Sequence, residues 1–198
     1  PDPLAEKYPN FSPYAHCANN PLKYMDPDGR KLEFAKGVSD SFKADYTKAT
    51  NHLNSNNAGE MIAKIEASEK VYYINESTNM ESKYNSGTKT IDWSPNTAIR
   101  TDNLYELSPA EILNHEIDHA LQNDQNPEQQ TKDSETKDPN YRNKEEKRVV
   151  EGSEKQTAIK LNKLKDGEVT RNNLFGNPYK TKGPTSTEGV DELVITPK

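Results

Sequence analysis

Cysteine is nearly absent from this chain of 198 residues. The single Cys17 excludes an intrachain disulfide framework and any multi-cysteine metal site, so a metal would have to be held by His, Asp and Glu. Apolar residues are also scarce. Leu, Ile, Val and Phe number 32 of 198, which lies under the fraction of roughly a fifth at which disorder becomes a concern. They cluster, however, so the expectation is a compact domain shorter than the chain, flanked by irregular segments. No stretch approaches the roughly 18 apolar residues of a membrane span. The opening "PDPLAEKYPN" has neither the charged nor the apolar region of a signal peptide, although it could still belong to a longer polypeptide with its own export route. A basic excess is lacking too: a net charge of −6 without a long basic run argues against general affinity for nucleic acid or membrane.

What is present is organised in blocks. Residues 1–30 are crowded with Pro, Asn, Asp and aromatics, which is turn chemistry, and "DPDG" at 26–29 reads as a tight turn. The style changes after Gly29, which places a boundary near residue 30. From Lys31 to about Asn54, Leu32, Phe34, Ala35, Val38, Phe42 and Tyr46 recur mostly at three- and four-residue intervals and predict a helix. "EMIAKIEAS" predicts a second, short one. "KVYYIN" at 70–75 and "KTIDWSP" at 89–95 predict strands, expected to pair as an antiparallel ribbon across a polar connection. Residues 122–148 contain one apolar residue, Tyr141, and read mostly as a mobile loop. A last helix is expected over about 142–164, and a flexible tail over 166–198.

The stretch "ELSPAEILNHEIDHALQ", residues 106–122, carries the chemistry. Ser108 can cap a helix, Pro109 suits its first position, and Glu111 completes a capping box. On that helix His115 and His119 lie one turn apart on one face, so both imidazoles can reach a single ion. Glu116 lies about 100° round from His115 and flanks the site, placed to take a proton from a zinc-bound water whose pKa the metal lowers towards about 7. The competing reading is an amphipathic helix with two satisfied histidines. A catalytic zinc needs a third protein ligand. His16 and His52 sit in or beside polar loops and read as surface residues, which leaves Glu145, Glu146, Glu151 and Glu154 of the last helix.

The paired glutamates of "NKEEKRVVEG", taken with H-E-x-x-H, resemble the glutamate helix of glutamate-type zincins. That group includes the zinc-protease light chains of clostridial neurotoxins and secreted bacterial effector metalloproteases. The resemblance implies Glu146 as the third metal ligand and Glu145 as the group that hydrogen-bonds and orients a histidine. It also implies that "KTIDWSP" is an edge strand on which extended substrate pairs. Trp93 fits core and substrate-facing positions equally. Tyr141, Arg142, Arg148 and Tyr179 are each able to stabilise an oxyanion, and the sequence does not choose among them.

A second resemblance covers about 22 residues. "YPNFSPYAHCANNPLKYMDPDG" is similar to the C-terminal end of Rhs-repeat-associated core domains, through "SPYAHCANNP" and "PLKYMDPDG". In that family a shell encloses a variable C-terminal toxin released by self-cleavage near the Asp-Pro motif. The resemblance implies that Asp26 and Asp28 belong to cleavage apparatus, although this chain lacks the shell. It further implies a polymorphic toxin delivered into a target cell, with a cognate immunity protein.

Together these features predict an α+β fold: a small zincin-like domain over 31–165, with a β-hairpin or sheet packed on the H-E-x-x-H helix and a glutamate helix. The function expected is a monomeric zinc metalloprotease toxin acting on a protein of the target cell. Its rivals are a metal-dependent nuclease toxin, which the missing basic stripe disfavours, and a non-catalytic binding or adaptor module.

Overall fold

The computed structural model describes residues 31–165 and 167–190. The "DPDG" turn, Asp26, Asp28, Cys17, His16 and the terminal "DELVITPK" lie outside the described residues. The elements run β1 (Leu32–Phe34), α1 (Asp40–Ser55), α2 (Glu60–Glu66), β2 (Tyr72–Glu76), β3 (Lys83–Asn85), β4 (Thr90–Trp93), β5 (Thr97–Thr101) and β6 (Glu106–Leu107). There follow α3 (Pro109–Gln125), α4 (Pro127–Glu135), β7 (Lys137–Asp138), β8 (Arg142–Asn143), α5 (Lys144–Val149), a π-helical turn (Val150–Glu154), α6 (Lys155–Lys160) and β9 (Gly176–Lys180). Helices and short sheets mix in one α+β architecture, the fold class expected.

One sheet has the order β1-β2-β4-β3, a second β6-β5-β9, and β7 pairs with β8. The core forms where α1, α2 and α3 cover the first sheet. On α1, Phe42, Tyr46, Ala49 and Leu53 are buried at helical spacing. From the strands come Tyr72, Ile74, Ile91 and Trp93, alternating with more exposed neighbours as a half-covered sheet requires. Each large apolar side chain buried this way contributes roughly 1.5–3 kcal/mol. Trp93 is a core residue: it is fully buried and its Nε1–H donates to the Pro109 carbonyl at 2.8 Å, tying the sheet to the start of α3.

Five expectations need correction. The helix foreseen from Lys31 starts only at Asp40, because Leu32–Phe34 pair parallel with β2, and Gly37 (φ 88°) turns the chain before Ser39 caps α1. β2 and β4 are parallel, not an antiparallel ribbon. The polar connection is long enough to cross and return, and its own residues 83–85 take the free edge of β4 in antiparallel register. Consequently "KTIDWSP" is no edge strand; β4 lies between β2 and β3, and β3 is outermost. Residues 122–148 are not mainly a loop: α4 and the β7–β8 ribbon fill them. That packing uses Gln130 and Tyr141, both buried, so an apolar pattern could not announce it. The segment expected to be a tail carries β9, which pairs with β5 along five residue pairs.

Candidate active site

The capping box of α3 is formed: the Ser108 side chain accepts from the Glu111 N–H, and the Glu111 carboxylate accepts from the Ser108 N–H at 2.8 Å. Every residue from Pro109 to Leu121 is buried. A helix so enclosed holds its side chains in fixed rotamers. His115 and His119 emerge on one flank, with Nε2 atoms 3.2 Å apart. Glu146 of α5 brings Oε2 to 3.4 Å from His115 Nε2 and 3.6 Å from His119 Nε2. Asn143 places it there by capping α5, its Oδ1 accepting from the Glu146 N–H at 2.9 Å.

These three donor atoms suit zinc. A tetrahedral ion with ligand arms of about 2.0–2.1 Å has ligand–ligand edges of roughly 3.3–3.4 Å, against the 3.2, 3.4 and 3.6 Å found here. Among the described residues, His115, His119 and Glu146 form the cluster able to hold an ion.

Each histidine is held from behind. His119 Nδ1 meets Glu145 Oε1 at 3.0 Å, and His115 Nδ1 meets Glu154 Oε2 at 2.9 Å. The two rings thus turn Nε2 to the same point. Glu151 is half-exposed beside Lys147, away from the cluster. Glu116 is buried, and its Oε2 accepts a 2.7 Å bond from the backbone N–H of Tyr84 on β3.

Charge follows from this packing. Burial disfavours the charged rings, but the facing carboxylates prevail: His115 is raised above its ordinary value by Glu146 and Glu154, and His119 is raised to about 10 by Glu145 and Glu146. Burial lifts Glu116 above the usual carboxylate range, against the pull of the two histidines. Glu146 lies well below that range, since its bonds to both rings outweigh its burial.

The cluster opens into a cavity of about 570 Å³ whose lining includes Met80, Tyr84, Ile112, Pro178 and Arg142. Of the four residues considered for an oxyanion, Arg142 lines this cavity and bonds Glu146 Oε1 at 2.6 Å. Arg148 is committed to Glu145 and Asp118, Tyr141 to the Arg171 carbonyl, and Tyr179 to the Thr187 carbonyl. Sequence reasoning missed the Tyr84 contact, which is made by backbone and leaves no trace in residue type. It missed Arg171 as well, which lies in a stretch without periodicity.

A family model described as "Peptidase_M91: Effector protein" matches residues 30–177. The chain belongs to that family. The match contains α3, the glutamate helix and the first residues of β9, so the whole histidine–glutamate cluster lies inside it. No curated protein and no solved structure matches the chain significantly. Membership makes this an effector with a peptidase-type domain. No helix among the described residues is long and apolar enough to cross a membrane.

Proposed function

We propose that the protein is a zinc metallopeptidase effector hydrolysing a peptide bond in a target-cell protein. The observation that carries this reading is the convergence of His115 Nε2, His119 Nε2 and Glu146 Oε2 to within 3.2–3.6 Å of one another beside a buried carboxylate. His115, His119 and Glu146 would hold the metal, Glu145 would orient His119, and zinc when bound would supply Lewis-acid polarisation of the scissile carbonyl.

The remaining steps belong to the chain. Glu116 takes a proton from the attacking water and returns it to the leaving amine. Its burial suits this, because a carboxylate raised above its ordinary range is a better base and is still able to give the proton back. The Tyr84 N–H keeps one carboxylate oxygen fixed while the proton moves. The cavity beside the cluster excludes bulk water from part of the bound peptide.

Residues 8–29 support delivery as the cargo of an Rhs-type protein, with Asp26 and Asp28 in the release motif and a cognate immunity protein as partner. The proposed boundary lies near residue 30, and the family match starts there. The contacts of β9 and of Arg171 extend the folded unit past 165.

The deciding experiment measures bound zinc and toxicity in cells for wild type, Glu116→Gln and His119→Ala. The reading requires Glu116→Gln to keep zinc and lose toxicity, and His119→Ala to lose both. Toxic Glu116→Gln protein would return the chain to the non-catalytic binding-module class.

A further inference from the structure

Glu154 is one of the most enclosed ionisable groups among the described residues, at 1% exposure, and the proposed reaction gives it no role. Its carboxylate is fully engaged. Oε2 faces His115 Nδ1 at 2.9 Å and also accepts from Arg171 Nη2; Oε1 accepts from Arg171 Nε at 3.0 Å and from the Thr170 hydroxyl. Arg171 is itself buried, and Tyr141 reaches its carbonyl.

The same arrangement stands behind the other histidine. Glu145 faces His119 Nδ1 and takes a two-pronged bond from Arg148, at 3.0 and 2.8 Å. Both rings therefore end a chain of histidine, glutamate and arginine. The two chains come from different places: Glu145 and Arg148 are neighbours on one helical turn, whereas Arg171 arrives from the segment before β9.

Helix geometry explains how one helix supplies both glutamates and Glu146. Residues 144–160 run as α5, π-turn and α6 with helical dihedrals at the two junctions. In an uninterrupted α-helix Glu154, eight positions after Glu146, would sit about 80° away round the axis. The π-turn at Val150–Glu154 takes up about one extra residue, so the spacing acts as seven and the offset falls to roughly 20°. An α-helical register would carry Glu154 off the ring.

We propose that Glu154 is the positioning residue of His115, swung onto the ring by the π-turn and locked by Arg171 and Thr170, and that it thereby sets the affinity of the cluster for zinc. This rests on the zinc-peptidase reading. A carboxylate accepting the Nδ1–H fixes the tautomer that presents the Nε2 lone pair and makes that nitrogen more basic; losing such a partner typically weakens metal binding about 10–100-fold. The inference also makes the stretch around residue 170 part of the site, although it follows the glutamate helix in the chain.

The test is the zinc dissociation constant, by competition with a chromogenic chelator, together with the visible spectrum of the Co(II)-loaded protein and the urea midpoint of the metal-free protein. Wild type and His119→Ala check the underlying reading: if wild type binds no zinc, or His119→Ala binds it equally, both that reading and this inference fall. With those controls in order, Glu154→Gln is expected to bind zinc about 10–100-fold more weakly with an altered Co(II) spectrum. Glu154→Asp keeps Arg171 paired while drawing the carboxylate back from the ring, so it guards against a Gln variant that does not fold; it should show a smaller loss in the same direction. A purely structural role would lower the urea midpoint and leave affinity and spectrum at their wild-type values. Either variant, folded and binding zinc with the wild-type constant, overturns the inference.

Discussion

The backbone N–H of Tyr84, on the outermost strand, donates to Glu116 Oε2 at 2.7 Å, joining the edge of the sheet to the carboxylate of the H-E-x-x-H helix. Tyr84 lies opposite Ile91 in the β3–β4 register, but its N–H is given to Glu116 rather than to β4. Tyr84→Pro therefore removes this donor from an edge strand that can tolerate proline. Metal content should stay at the wild-type level while hydrolysis falls by about 10- to 100-fold, a part of what general-base catalysis contributes. Tyr84→Phe, which loses only the hydroxyl bond to Asn123, is the control and should retain most activity.

Arg148 joins Glu145 to Asp118, whose carboxylate it grips at 3.0 and 3.1 Å. Both acids are nearly enclosed, so Arg148→Met leaves Asp118 without its cation and Glu145 with His119 alone. A destabilisation of about 3–5 kcal/mol is expected for the metal-free protein. Arg148→Lys should recover only part of it, since one ammonium cannot serve both acids as a planar fork does. Urea unfolding, followed through Trp93 as the single tryptophan, measures both.

Chain length provides a third prediction. A protein ending at 165 loses β9 and the Arg171 lock on Glu154, while one ending at 190 keeps both. The shorter chain should unfold at lower urea and bind zinc more weakly. Equal midpoints and equal zinc constants for the two would show that the segment after α6 is dispensable.

Stability should depend on pH in a set direction. Glu154 is buried, yet its bonds to His115 and Arg171 lower it from an ordinary 4.5 to about 2. Between those values the unfolded chain binds the proton and the folded one does not, so this stability is complete above about 4.5 and is lost as pH falls towards 2. The interaction contributes on the order of 3 kcal/mol. His119, raised to about 10, acts oppositely: its contribution is complete below 6.5 and lost as pH climbs through 10. Metal-free protein should thus be most stable between about pH 4.5 and 6.5, with urea midpoints falling on both sides. A midpoint that stays level from pH 6 down to pH 3 would contradict the Glu154 assignment.

Local pattern sufficed for the helix of residues 109–125, because its cap, its first-turn proline and the four-residue spacing of its histidines are properties of contiguous residues. It sufficed also for α2 and for the positions of β2 and β4, whose alternation reflects one buried face. Which strands pair was not local. β2 and β4 became parallel neighbours through a connection that returns along their outer edge, and only the assembled sheet could leave β3 rather than β4 beside Glu116. Residues 122–148 hid their structure because their packing rests on polar side chains such as Gln130. The sequence by itself determined that two imidazoles face one way and that glutamates lie downstream. Tertiary structure decided the place of each glutamate: Glu146 among the Nε2 atoms, Glu145 behind one ring and Glu154 behind the other. That sorting depends on the extra residue taken up by a π-turn and on an arginine distant in sequence, both settled by packing across the chain and neither encoded in hydrophobic periodicity.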